Sequence, residues 1–214
     1  MSIMTQEDAD IVHLALSRAR MSTYESAAVE QGKSALALYA WNGLISGALL
    51  TPLQMCEVII RNAVSDALEA LYGSDWPWNQ TFETSLPFAR KKELLEARKD
   101  ATTVGQLIPE LSFYFWQNMF TSRHYGRIWD GHIDRLFPNM ELGMTKQAKR
   151  IFIQNEMDHI RALRNRIAHH EHIFKRDLED DYQRIVQLIG LRCTISAQWL
   201  TQNNFFNTVF GLKP

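Results

Sequence analysis

Residues 164–172 read Arg-Asn-Arg-Ile-Ala-His-His-Glu-His, placing two arginines, an asparagine, three histidines and a glutamate within nine positions. Arginine forks match the geometry of phosphate oxygens and keep their charge at neutral pH. Histidine is the side chain whose ordinary pKa suits general acid–base work near neutrality. Such a set, without an obvious group of metal ligands, is what metal-free RNA cleavage requires. One group takes the proton of a ribose 2′-hydroxyl and another stabilises charge on the phosphate. A plainer reading competes with this one: arginine and histidine near a helix C-terminus complement the helix dipole and are ordinary on a solvated surface. A metal site from His169, His170, Glu171 and His172 is disfavoured, because the HExxH order is missing and adjacent helical residues point apart.

A helix must present these residues. Thr145 reads as a cap, and Ile153, Met157, Ile160, Leu163 and Ile167 recur on one face of a 3.6-residue period, predicting a helix to about His170. Asp158, Arg161, Asn165, His169 and His172 form a polar stripe on the opposite flank, spaced so that neighbours touch. Arg164 departs from this pattern, since it projects only about 40° from Ile160 on the apolar side. An always-charged guanidinium there must snorkel, find a carboxylate or face a partner surface. His170 falls at the edge near Leu163.

The rest of the chain reads as helices. Capping signals stand at Thr5 with Asp8, at Thr51 with Pro52 in the first helical position, and at Gly73 just past a helix end. The spacing predicts a first helix to about Met21 and a second over SALALYAWNGLISGALL. A third begins at Thr51, with Met55, Ile59, Ala63, Ala67, Leu68 and Leu71 along its apolar stripe. Further helices follow through FARKKELLEARKDA, GQLIPELSFYFWQNMF and HYGRIWDGHIDRLF, and a last region spans residues 178–199 with Gly190 as its break. No sustained period-two alternation or internal repeat occurs, so residues 1–214 are expected to form a single all-α domain, a helical bundle. Only 10 Gly and 6 Pro leave too little turn chemistry for a sandwich or propeller. With Lys plus Arg at 23 against Asp plus Glu at 24, a wholly basic nucleic-acid coat is excluded but a local basic patch is not. Cys56 and Cys193 form no CxxC pair and suit a reducing cytosol. The N-terminus has no cationic start or apolar run of a leader. The charge-free stretch between Lys33 and Glu57 is interrupted by Asn42, Gly43, Ser46, Gly47 and Pro52, and is expected to be core rather than membrane span.

The segment Arg164-Asn165-Arg166-Ile167-Ala168-His169-His170-Glu171 resembles the RNxxAHHE signature of bacterial Abi-like (abortive-infection) proteins of the HEPN superfamily. Ribonuclease members of that superfamily carry an arginine followed, after four to six residues, by a histidine. Both His169 and His170 satisfy that spacing from Arg164. Glu57-Val58-Ile59-Ile60-Arg61-Asn62 resembles the family's ExxxRN helix, and Gly73-Ser74-Asp75-Trp76 the loop after it. Phe115-Trp116 and Leu136-Phe137-Pro138-Asn139 resemble its middle section. The likeness covers residues 34–176, with Lys175 a departure where a small polar residue is usual.

The resemblance implies a HEPN-like helical bundle and, for active relatives, a metal-independent endoribonuclease of phage-defence or toxin type. Arg–His motifs of two protomers then meet across a homodimer, which would give Arg164 a partner surface. On that reading His169 is general base or acid and His170 a second participant. Arg164 holds the scissile phosphate, and Asn165 orients His169 from one turn earlier. Arg161, Arg166 and His172 are expected to contact RNA, and Glu57, Arg61, Asn62 and Glu171 to support the site, with Glu57–Arg61 as an i,i+4 salt bridge. No cofactor, metal or membrane is expected, and the setting is cytoplasmic; a protein regulator is unspecified. The alternative is a non-catalytic HEPN module that binds RNA or a protein partner through the same cluster. Phe113-Tyr114-Phe115-Trp116 is expected to be core, and the basic residues of 90–99, interleaved with Glu93 and Glu96, a solvated face.

Overall fold

The computed structural model describes residues 5–214, which form helices joined by short turns, with no strand among the described residues. The first four residues of the N-terminal segment read above for a leader lie outside them. Helices α1 (Gln6–Leu16) and α2 (Arg18–Gln31) lead into a central α3 (Ala35–Tyr72). Shorter elements follow: α4 (Gln80–Ser85), α5 (Phe88–Ala97), α6 (Val104–Leu107), α7 (Phe113–Asn118) and α8 (Asp130–Leu136). The long α9 (Lys146–Ala168) and α10 (Leu178–Arg192) pack back on α3, before α11 (Thr194–Gln202) and α12 (Phe206–Phe210).

Several boundaries differ from the sequence expectation, each for a local reason. Pro52 does not start a helix but lies inside α3, so the two expected helices are one. Proline removes one ladder hydrogen bond, and burial of Pro52 with Leu49, Leu53, Cys56 and Ile60 holds the helix through it. The buried stripe therefore runs through Leu53, Cys56, Ile60 and Val64, while Met55 and Ile59 are only half-buried and Leu71 is exposed. The first predicted helix breaks at Ser17, whose φ of 75° ends α1 and whose hydroxyl accepts from Arg20 N–H to cap α2. Ile11 and Leu14 of α1 are exposed. Pro109 and Ser112 divide the GQLIPELSFYFWQNMF helix into α6, a 3₁₀ turn and α7, and HYGRIWDGHIDRLF enters α8 through a π-helical turn at Tyr125–Trp129. The last region breaks at Cys193, not Gly190.

By length and composition α3 could cross a bilayer, with a mean hydropathy of 1.6 in its most apolar window, of which 33% is buried. Its inner face, with Trp41, Ile45 and Leu49, packs in the core. Its outer face leaves Ala40, Gly43, Leu44, Gly47 and Leu50 exposed. Trp76, Trp116, Trp129, Phe115, Phe120 and Phe137 fill the other end of the core, where Phe120 stacks on Trp129 with centroids 4.2 Å apart. Each buried indole finds an acceptor: Trp76 Nε1 donates to Ser65 Oγ at 3.1 Å and Trp129 Nε1 to the Met119 carbonyl at 2.6 Å. Phe113, Phe115 and Trp116 are core as expected. Tyr114 is exposed, with the Arg90 and Arg161 guanidinium carbons 4.7 and 4.9 Å from its ring centroid.

His124 is fully buried in this cluster, and Arg127 Nη2 lies 2.8 Å from its Nδ1. A guanidinium only donates, so Nδ1 accepts and the ring is neutral, with its proton on Nε2. Burial, reinforced by Arg127 and Arg123, pushes the imidazole pKa down from 6.5 to about 4. The neutral ring's contribution is complete above pH 6.5 and is lost as pH falls toward about 4, a difference on the order of 3 kcal/mol. Asparagine at this position keeps an acceptor for Arg127 without titrating. His124→Asn is therefore expected to flatten the loss of denaturant stability between pH 7 and pH 4.5. An unchanged pH slope would refute the assignment.

Candidate functional site

Thr145 caps α9, its hydroxyl accepting Ala148 N–H at 3.1 Å, and the predicted face of Ile153, Met157, Ile160, Leu163 and Ile167 is buried. The helix stops at Ala168, short of the expected His170. His170 N–H donates to the Ile167 carbonyl at 3.0 Å and Glu171 N–H to the Arg166 carbonyl at 2.8 Å. This pair of bonds is a Schellman closure, whose left-handed residue is normally glycine. Here it is His170, at φ 55°. A side chain in that conformation costs about 1 kcal/mol or more, so surrounding contacts must enforce it.

Those contacts come from four parts of the chain. From α2, Arg20 Nη1 donates to the His170 carbonyl at 2.6 Å. From α3, the buried Asn42 Oδ1 accepts Ile173 N–H at 2.8 Å. Within the turn, Arg166 Nε and Nη2 donate to the His172 carbonyl at 3.1 and 3.0 Å. Near the C-terminus, Lys213 Nζ reaches the Phe174 carbonyl at 3.4 Å. Beyond the turn, Arg176 makes a bidentate pair with the buried Asp181, at 2.7 and 2.6 Å, ahead of the main body of α10.

Two shallow grooves flank the end of α9. One, about 380 Å³, lies between α3 and α9 and is bordered by Glu57, Arg61 and Arg164. The other, about 450 Å³, is bordered by Asn42, Gly43, Gly47, His170 and Glu171. Leu50, Ile167 and Ala168 form the wall they share. Arg164 and His170 thus face opposite sides of one wall. His169 is exposed at the helix cap and borders neither groove. Arg164 and His169 are not brought together within one protomer.

The remaining candidates divide by how fully their own chain engages them. Asn165 meets His169 through backbone, its carbonyl accepting His169 N–H at 2.9 Å; its side-chain oxygen lies 3.5 Å from Arg164 Nη1. Arg166 is occupied inside the turn, and its Nη2 also lies 3.5 Å from the Glu171 carboxylate. His172 packs against Phe174 and Tyr24, at 5.2 and 6.5 Å between centroids. Its pKa is lowered by burial first and then by Arg166 and Lys175, so the ring is neutral at pH 7. Arg161 pairs with Asp158 at 3.3 Å and lies over Tyr114. The expected Glu57–Arg61 salt bridge does not form: no ion pair joins them among the described residues, and both side chains instead border the groove. The Nε of Arg61 is buried without a hydrogen-bond partner, and Asn62 is exposed.

Sequence reasoning missed Arg20, Tyr24 and Asn42, which hold the turn from a distance. Asn42 did carry a signal, as an amide inside a charge-free run, which must find a partner once buried. Arg20 carried none. Comparison with protein families, with characterised proteins and with solved structures finds no match to this chain.

Proposed function

We propose that the protein is a metal-independent, HEPN-type endoribonuclease. One observation carries the reading: the Arg164 and Arg61 guanidiniums border a single groove with no ion-pair partner among the described residues, and the exposed His169 and His170 follow at the C-terminal end of the helix that carries Arg164. Free arginines at a groove suit a phosphodiester, and exposed histidines brought to it by a second copy would suit proton transfer at the ribose. The likeness of residues 164–171 to the RNxxAHHE signature supplies the reaction class and a phage-defence setting in the bacterial cytosol. Arg164 binds the scissile phosphate, and His169 or His170 takes the 2′-hydroxyl proton.

A second copy completes the site in this proposal. Arg164 borders the groove between α3 and α9, whereas His169 caps the helix and borders neither groove, so a shared transition state needs a partner's histidine. The exposed face of α3, with Leu44 at 58% and Leu50 at 55% exposure, offers an apolar surface beside both grooves. Light scattering is expected to give a dimer at micromolar concentration, and a monomer that retains full activity would defeat the composite site. The direct test is cleavage of single-stranded RNA in EDTA by wild type and by His169→Ala. Cleavage by wild type in EDTA supports the proposal; activity that vanishes with chelation and returns with a divalent metal refutes it. RNA bound through Arg164 but never cut would instead make the cluster a binding module.

A further inference from the structure

The groove between α3 and α9 contains more than phosphate ligands. Its walls include Leu50, Leu53, Val58 and Ile167, which present aliphatic surface, and Glu57 stands one turn from Arg61 on the same helix. At about 380 Å³ it falls in the lower range of small-molecule pockets. That is space for one unstacked nucleotide rather than a duplex. The buried, unpartnered Nε of Arg61 is a desolvated donor with nothing to donate to, a state that buried polar groups rarely keep.

We propose that this groove seats a guanine nucleotide of an RNA strand, its base on the aliphatic wall and its hydrogen-bonding edge on Glu57. The inference deepens the ribonuclease reading and rests on it. An ionised carboxylate has only acceptors. Guanine alone among the four bases offers two adjacent donors, N1–H and the N2 amine, to two carboxylate oxygens. Adenine and cytosine place an acceptor nitrogen beside their amine, and uracil flanks its single N–H with carbonyls, so each meets the carboxylate with repulsion. Arg61 and Arg164 then take the phosphates on either side of the base, as guanidiniums do when their forks are free. Single-stranded RNA is commonly read in this way, with a base splayed out and hydrogen-bonded on its Watson–Crick edge.

Calorimetric titration with 2′-O-methyl trinucleotides, which resist cleavage, tests the seat. ApGpA is expected to bind roughly tenfold or more tightly than ApApA, ApCpA or ApUpA, the discrimination typical of one good bidentate base contact. Glu57→Gln is expected to abolish that preference. Arg61→Ala is expected to weaken all four ligands about equally, because phosphate contacts carry no base information. Equal binding of the four by wild type, or a guanine preference that survives Glu57→Gln, overturns the proposal. Competition with 5′-GMP fixes the source: displacement of GMP by ApGpA supports an RNA seat, and GMP that ApGpA cannot displace overturns it in favour of a free nucleotide. Guanine-selective binding by a protein that cuts no RNA leaves the seat standing and removes the ribonuclease reading. Cleavage without base preference does the reverse.

Discussion

On the proposed ribonuclease reading, alanine at Arg164 or at His169 is expected to remove nearly all RNA cleavage, and the double replacement to cost little more than either one. A general base contributes typically 10²–10⁴-fold, so each single loss is plain in a gel assay. Residues that serve one transition state are grossly non-additive, which is why the double variant is the sharper measurement. Both side chains are exposed, so folding should survive. The oligomeric state of Arg164→Ala needs checking, because its groove adjoins the apolar face of α3. His170 calls for a different substitution. Glycine suits the left-handed φ of 55° better than histidine does, so His170→Gly is expected to keep or raise stability while exposing any chemical role of the imidazole. Products should end in a 2′,3′-cyclic phosphate if the ribose hydroxyl is the nucleophile. Arg164→Ala and His169→Ala proteins that fold, dimerise and cleave like wild type would end the catalytic assignment.

The all-helical class and the core face of α9 were legible because period and capping are local properties. Thr145 and the spacing from Ile153 to Ile167 predict the element with no knowledge of its neighbours. Arg164 stood out for the same reason, as a charge on the wrong side of a regular pattern. What was not legible is decided by packing. Pro52 carries the local chemistry of a helix start, and burial of one face of α3 overrides it. Helical projection places His170 beside Leu163, but the helix ends at Ala168 through a closure that no glycine announces. Glu57 and Arg61 have the spacing of an ion pair, yet both turn to a groove formed only when α9 docks on α3. The contacts that hold the histidine-bearing turn come from Arg20, Asn42 and Lys213, residues 131–150 positions away in the cases of Asn42 and Arg20. No local window contains them.

Asn42 is therefore where a single substitution should reach the site through the fold. Its amide oxygen accepts the Ile173 N–H at 2.8 Å, and both residues are buried. Leucine matches asparagine in heavy-atom count and branching and suits the surrounding apolar run, so Asn42→Leu is the closest apolar replacement. It cannot accept a hydrogen bond, and the Ile173 N–H, a backbone group, cannot be mutated away. Leaving that donor buried and unpaired costs about 1–3 kcal/mol, which for a chain of this size lowers the melting temperature by about 2–12 °C. The loss should be concentrated in one place. Hydrogen exchange across residues 169–174 should accelerate more than exchange in α10, since the Asn42 bond is one of the few that oppose relaxation of His170 out of its left-handed conformation. Adding His170→Gly should recover part of the melting temperature, because glycine holds that conformation with less strain, while cleavage that needs the His170 imidazole stays lost. An Asn42→Leu protein with wild-type melting and wild-type exchange across the turn would show that the turn holds itself.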